Sequence, residues 1–157
     1  MSSADDGLQG PLANLRVVEL ADEKGQFCGK LMADLGADVI KVEPPGGERC
    51  RQVGPFLDDD PHPDRSLYFW HYNTSKRGVT LDLDHPEGQA LLQRLVATAD
   101  VVLDSYPRGY LAARGLEWEA LHAAHPQLVY CALTPFGQTG PWRDFQTSDL
   151  LHLGAGG

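Results

Sequence analysis

The sequence predicts an α/β protein on an open, doubly wound (Rossmann-like) parallel sheet. Three observations predict it. Short β-branched, apolar runs recur along the chain, and segments of helical periodicity separate them. Residues 15–43 form one complete strand–helix–strand unit, which requires parallel strands and a right-handed crossover. The same alternation then continues to residue 133, in the order expected of layered α/β folds.

Each element has a local reason. Leu-Arg-Val-Val-Glu-Leu at 15–20 reads as the first strand. Residues 25–35 read as a short helix, with Leu31, Met32 and Leu35 at helical spacing. Gly36 follows as its C′ residue, where positive φ costs glycine little. Asp-Val-Ile-Lys-Val-Glu at 38–43 is the second strand, and Pro-Pro-Gly-Gly at 44–47 ends it. Residues 48–65, rich in Pro, Asp and Arg, read as a long surface loop, and loops of that length without structure of their own are usually functional. Residues 67–73 carry aromatic mass that calls for burial, and 78–82 read as a third strand.

The second half repeats the pattern. Asp84 and Glu87 form a capping box that opens a helix, and Leu91, Leu92, Leu95 and Val96 give it an apolar face to about residue 99. Residues 100–104 are a fourth strand, 111–114 and 118–124 short helices, and 127–133 a fifth strand. Residues 137–147 read as a polar loop leading into a helix at Ser148 or Asp149. That helix has barely begun at the final Gly-Ala-Gly-Gly, so the domain reads as cut off at its C-terminal end. Residues 1–9 read as a disordered tail, and 10–157 as the N-terminal part of one α/β domain.

Composition narrows the function. The chain has 157 residues, with 13 Lys and Arg against 22 Asp and Glu, for a net charge of −9. A nucleic-acid binder would show a basic stripe instead. No apolar run approaches the ~20 residues that cross a bilayer, and the opening residues lack the basic start and apolar core of a signal peptide. Three widely spaced cysteines, Cys28, Cys50 and Cys131, do not form a disulfide framework and fit a reducing cytoplasm.

Doubly wound sheets place ligands at the carboxyl ends of their strands. The loops there contain Asp22, Glu23, Lys24, Arg49, Arg51, Asp84, Ser105, Tyr106, Arg108, Thr134 and Gln138. Gly25 and Gly29 follow the first strand, but their spacing and the Lys-Leu after them fit neither a P-loop nor G-x-G-x-x-G. Glycines that let a helix pack close to the sheet are the plainer reading. His122 and His125 lie three apart on a helix without a Cys or carboxylate pattern to complete a metal site. Lys76 and Arg77 before a strand, and Arg108 and Arg114 after one, are local basic clusters that can hold a polyphosphate. Alternatively Lys76 and Arg77 pair with Asp82 or Glu87. Tyr106 offers a face for adenine, or it is a tyrosine at the edge of the core.

Taken together, six segments resemble one family. They are residues 15–20, 33–47, 73–83, 100–109, 126–130 and 136–141, in order and in register. They are similar to the N-terminal part of the class III coenzyme A transferases, the family of formyl-CoA and carnitine CoA-transferases and α-methylacyl-CoA racemases. The resemblance implies coenzyme A or acyl-CoA as substrate, with no permanently bound cofactor and a carboxylic acid as acceptor. It also implies an interlocked homodimer. Carried over by position, Lys24 approaches the CoA, and Leu81, Asp82, Leu83 and Asp84 line its nucleotide pocket. Ser105, Tyr106 and Pro107 lie beside the adenosine, where the family commonly has Asn-Phe. Arg114 lies one place from a phosphate-binding arginine, and Asp149 matches the rim of the site. The first turn, Asp-Glu-Lys-Gly-Gln-Phe, replaces the Ala-Gly-Pro of many members, and Pro44 replaces a residue that is basic in some.

The resemblance further implies covalent catalysis by an aspartate, through a mixed anhydride and an aspartyl-CoA thioester. By spacing that aspartate falls beyond Gly157, so no catalytic residue is assigned and residues 1–157 alone are expected to be inactive. Racemase members carry a catalytic His where this chain has Ser148, which favours transferase over a racemase-like isomerase. A non-catalytic CoA-binding module is the other alternative.

Overall fold

The computed structural model describes residues 10–146 and 148–156. The tail expected over 1–9 lies outside the described residues. Five parallel strands form one sheet: β1 (Arg16–Leu20), β2 (Asp38–Glu43), β3 (Arg77–Thr80), β4 (Val101–Asp104) and β5 (Val129–Ala132). Their spatial order is β3-β2-β1-β4-β5, the doubly wound arrangement the sequence predicts. Helices α1 (Gln26–Asp34), α2 (Leu67–Asn73), α3 (Pro86–Val96), α4 (Trp118–Ala124) and α5 (Asp149–Gly156) complete it.

Side chains alternate across each strand, and the two faces of the sheet build separate cores. Val18, Leu20, Val42 and Val102 pack with Leu92 and Val96 of α3 and with Leu116 and Leu121. Val17, Val39 and Leu103 pack on the other face with Ala33 of α1 and Ala37.

Of the residues that spacing singles out on the α1 helix, only Met32 packs against the core. Leu31 and Leu35 are half exposed, while Gln26, Gly29 and Ala33 face the sheet. The reason is steric: a Cβ at Gly29 would lie 1.6 Å from Oε2 of the buried Glu19. The glycine is therefore needed for helix–sheet contact. Gly36 does end the helix at φ +101°.

Two further local expectations are corrected. His85, not Asp84, caps α3, with Nδ1 accepting from the Glu87 N–H at 3.4 Å and Pro86 in the first helical position. Asp84 lies one residue before the cap position and pairs with Arg114 instead. The segment 48–65 is not structureless, since it contains three 3-10 turns at Arg49–Gln52, Leu57–Asp59 and Pro63–Arg65. Arg51 ties the segment back to β2 by two hydrogen bonds to Glu43, at 2.6 and 2.7 Å. It also lies 3.7 Å over the ring of Phe69. Phe69 is the buried aromatic of α2, whereas Trp70 and Leu67 remain exposed.

Candidate active-site crevice

Because all five strands run the same way, their carboxyl ends share one rim. The order reverses between β1 and β4, which opens a crevice between the loops that follow them. Residues of the two loops are stitched together there. The Asp22 N–H donates to Ser105 Oγ at 2.8 Å, and the Ser105 hydroxyl donates back to Asp22 Oδ1 at 2.7 Å. Lys24 donates its backbone N–H to Asp22 Oδ1 at 3.0 Å and its ammonium to Oδ2. Burial alone would raise the Asp22 pKa, but the Lys24 and Ser105 hydrogen bonds outweigh it and hold the carboxyl below its ordinary value.

A cavity of about 380 Å³ opens beside this stitch. Lys24, Ser105, Tyr106 and Pro107 line it, so the structure brings together four of the sequence-selected residues. Arg108, Arg143, Asp144, Phe145 and Thr134 complete much of the wall. Arg108 and Arg143 both donate to Asp144. Thr134 Oγ1 is buried and has no hydrogen-bond partner among the described residues. Three cations against one carboxylate on the wall contrast with the chain's net charge of −9.

The second group of selected residues clusters behind Tyr106. Arg114 donates Nε to the Leu83 carbonyl at 3.1 Å, Nη1 to the Tyr110 carbonyl at 2.7 Å, and Nη2 to Asp84. Its guanidinium sits 3.7 Å over the Tyr110 ring, and Tyr110 stacks on Tyr106 at 4.3 Å. Burial pushes the Tyr106 hydroxyl up to about 12. Leu81 and Leu83 are buried in the core, so only their backbone is presented to this rim. Asp82 accepts from the Asp84 N–H at 3.0 Å and steadies the turn. Gly88 lets α3 close on that turn, as a Cβ there would meet the Asp82 carbonyl at 1.8 Å. Asp149 stands apart, in the first turn of the exposed helix α5, and lines neither cavity.

A larger recess of about 650 Å³ lies on the β5 side, between Asp104, Tyr130, Trp118 and Glu117. Asp104 is buried and accepts from the Tyr130 hydroxyl at 2.7 Å and the Tyr106 N–H at 2.8 Å. Burial raises its pKa despite those bonds. Among the described residues no group of three or more His, Cys, Asp or Glu is placed to hold a metal, and no helix is long and apolar enough to cross a membrane.

The pairing read for Lys76 and Arg77 is corrected, and Lys76 is also withdrawn as a phosphate ligand. The Lys76 ammonium is buried and reaches Glu19 Oε2 at 2.8 Å, the Gln26 carbonyl at 2.8 Å and Asn73 Oδ1 at 2.8 Å. Arg77 pairs with Asp38 at 2.7 Å. Neither pairs with Asp82 or Glu87, and Lys76 has no ammonium hydrogen to offer a phosphate. The sequence reading missed the network that claims Lys76. Lys41 donates to Glu19 Oε1 at 3.0 Å and to the Ala21 carbonyl at 2.6 Å, and pairs with Glu48 Oε2 at 2.8 Å. Burial alone would lower the Lys41 pKa, but Glu19 and Glu48 outweigh it and raise it. A signal was present: Glu19 and Lys41 interrupt otherwise apolar strands at positions that become neighbours in the sheet. Through Ala21 this network supports the turn that carries Asp22 and Lys24.

Comparison with known proteins places this architecture. The family model described as CoA-transferase family III matches residues 12–157. The chain is similar to a succinate–glutarate CoA-transferase of Agrobacterium fabrum, at 46% identity over 94% of this chain and 38% of that protein. It is also similar to a succinyl-CoA–D-citramalate CoA-transferase of Chloroflexus aurantiacus, at 47% identity over 85% of this chain and 33% of that protein. Among solved structures, a CAIB/BAIF family protein from Brucella suis superposes with a TM-score of 0.86 and 42% identity, covering 94% of this chain and 39% of that one. The chain thus spans between a third and two fifths of the length of these relatives.

Proposed function

The chain belongs to CoA-transferase family III, and from that premise we propose that it forms the CoA-binding part of an enzyme that moves CoA between an acyl-CoA thioester and a carboxylic acid. One observation carries this reading: the crevice at the β1/β4 reversal concentrates Lys24, Arg108 and Arg143 around an aromatic wall in an otherwise acidic protein. A ligand that combines an aromatic base with several phosphates fits that wall, and CoA has both.

In this reading Tyr106 and Pro107 lie against the adenosine part. Ser105, fixed by Asp22, sets the floor between them, and Lys24 faces the phosphates. The Leu81–Asp84 turn borders the same pocket through its backbone, and Arg114 braces that turn and the Tyr110–Tyr106 stack. Asp149, on the exposed helix α5 and outside both cavities, takes no part in holding CoA in this reading. Transfer runs through an aspartate that attacks the thioester carbonyl and forms a mixed anhydride as CoA leaves as thiolate. The thiolate then attacks the anhydride, releasing the first acid and leaving an aspartyl-CoA thioester for the acceptor carboxylate. By spacing from Ser148 and Asp149 that aspartate is not among these 157 residues, so they bind CoA without turnover. The working enzyme is a cytoplasmic, interlocked homodimer, and exposed Trp142, Phe145, Leu150 and Leu153 are apolar surface available to such an assembly.

Isothermal titration of the chain with CoA and with pantetheine tests the reading. The expected result is saturable CoA binding that weakens steeply with salt, and none for pantetheine, which lacks the nucleotide phosphates. Equal binding of both, or of neither, overturns it. CoA exchange between succinyl-CoA and glutarate by the chain, abolished by Asp149→Ala, would instead overturn the placement of the nucleophile.

A further inference from the structure

Every cation lining the 380 Å³ cavity is engaged by a carboxylate of its own chain. Lys24 is bonded to Asp22. Arg108 Nη1 donates to Asp144 Oδ1 at 2.9 Å, and Arg143 Nε donates to Asp144 Oδ2 at 3.2 Å. One carboxylate thus gives each oxygen to a different guanidinium, the arrangement by which arginines take up a phosphate or a substrate carboxylate. The arrangement is not structural glue. The side chains of Arg108 and Arg143 are 45% exposed and that of Asp144 63%, and exposed ion pairs of this kind contribute little to stability. Asp144 can leave without opening the core, because no core cluster includes it. Beside it Thr134 Oγ1 has no hydrogen-bond partner among the described residues.

We propose that Arg108 and Arg143 form an oxyanion seat on the crevice wall, with Asp144 as its resting occupant, which an incoming ligand displaces. The identity of the ligand rests on the CoA-binding reading. A phosphate of CoA fits the seat, and the carboxylate of the acid substrate offers the same chemistry. Self-occupancy has a function: it halves the seat's charge from two positive to one and so weakens its pull on stray small anions, while a ligand anchored elsewhere in the crevice can outcompete a single tethered carboxylate. The contact is thus a threshold built into binding.

The test has an unusual sign. Removing an acidic side chain from a binding site ordinarily harms what it supports, whereas Asp144→Asn should tighten binding. The affinities of adenosine 3′,5′-bisphosphate, which has phosphates but no acyl arm, and of glutarate, which has carboxylates only, would be measured by titration at low salt. D144N is expected to bind the bisphosphate about two- to fivefold more tightly, the gain from releasing exposed ion pairs. Arg108→Gln is expected to weaken it, and the double variant R108Q/D144N to bind no tighter than wild type. Asp60→Asn makes the same charge change at the exposed pair with Arg65, neither of which lines the cavity, and should leave affinity unchanged. Tightening confined to glutarate supports the seat with the acid as its ligand. Unchanged or weaker binding of both probes in D144N, or equal tightening in D60N, overturns the seat. If wild type binds CoA and D144N has no effect, the seat falls and the CoA reading stands. If D144N tightens the bisphosphate in a chain that does not bind CoA, the CoA reading falls and the seat stands.

Discussion

Replacing Lys41 with Met isolates the buried ionic network from packing. The two side chains have similar length, so the substitution opens little cavity. It does remove three interactions of an ammonium that is 2% exposed: Glu19 at 3.0 Å, the Ala21 carbonyl at 2.6 Å and Glu48 at 2.8 Å. The network of Lys41 and Lys76 with Glu19 and Glu48 is charge-balanced, and Lys41→Met leaves it one negative charge in excess. Breaking a buried pair by deleting one partner costs about 3–5 kcal/mol. Lys76 remains on Glu19, and Glu48 is near enough to water to protonate or rehydrate, which places the cost near ~3 kcal/mol, the low end of that range. With a urea m-value of about 2 kcal/mol/M, the unfolding midpoint should fall by roughly 1.5 M. Equilibrium urea unfolding followed by circular dichroism reads this directly. The double variant K41M/E48Q restores neutrality and should recover at least about 1 kcal/mol of the loss. Arg65→Met, at an exposed pair, should cost less than about 1 kcal/mol. A K41M midpoint within the range of R65M, or no recovery in K41M/E48Q, would refute the claim that charge balance rather than packing governs this side of the core.

Three further outcomes follow from the same interior. Burial and Glu48 push the Cys50 thiol far up, while Cys28 and Cys131 are exposed, so native protein should react with a thiol reagent at two sites and at a third only on unfolding. A phenol held near 12 against an ordinary 10 stabilises the fold fully below pH 10, and that stability is lost as pH rises toward 12. Tyr106→Phe should therefore remove one late-ionising phenol from the ultraviolet titration and flatten the stability loss across that window. At acid pH the sign reverses for Glu43, where burial is outweighed by Arg51 and the carboxyl stays below its ordinary 4.5. Its contribution is present above about 4.5 and is lost as pH falls through the depressed value. Arg51→Gln should move the acid midpoint of the folded state to higher pH, measured by fluorescence.

The strands were legible because their apolar, β-branched runs are local properties. The doubly wound class followed from the alternation of strands and helices, whereas the spatial order of the strands is supplied by the structure. What stayed hidden depends on partners distant in sequence. Lys76 reads as an available cation until Glu19, 57 residues away, is seen to hold it. Asp84 reads as a helix cap until Arg114 takes its carboxylate and His85 replaces it. Leu31 and Leu35 read as a core stripe because periodicity finds an apolar face but not the steric limit that Gly29 and Glu19 impose on which face meets the sheet. In the crevice, Lys24, Ser105, Tyr106 and Pro107 were found through strand-end position and family resemblance. Arg143 and Asp144 lie in a loop with no motif, and only the fold brings them to Arg108.

The pairing of β1 with β2 sets Glu19 opposite Lys41. Apolar strands of similar valine and isoleucine content can exchange pairing frames at little cost, because one aliphatic neighbour replaces another. This pair makes the frame unambiguous. A slip of one residue sends the Glu19 carboxylate toward the face filled by Val18 and Val42, where no cation lies in the core cluster. A slip of two in one direction sets it against Val39, and in the other against Glu43. The two buried charges therefore act as an alignment key, which makes mis-threaded sheets costly before the chain has committed to them.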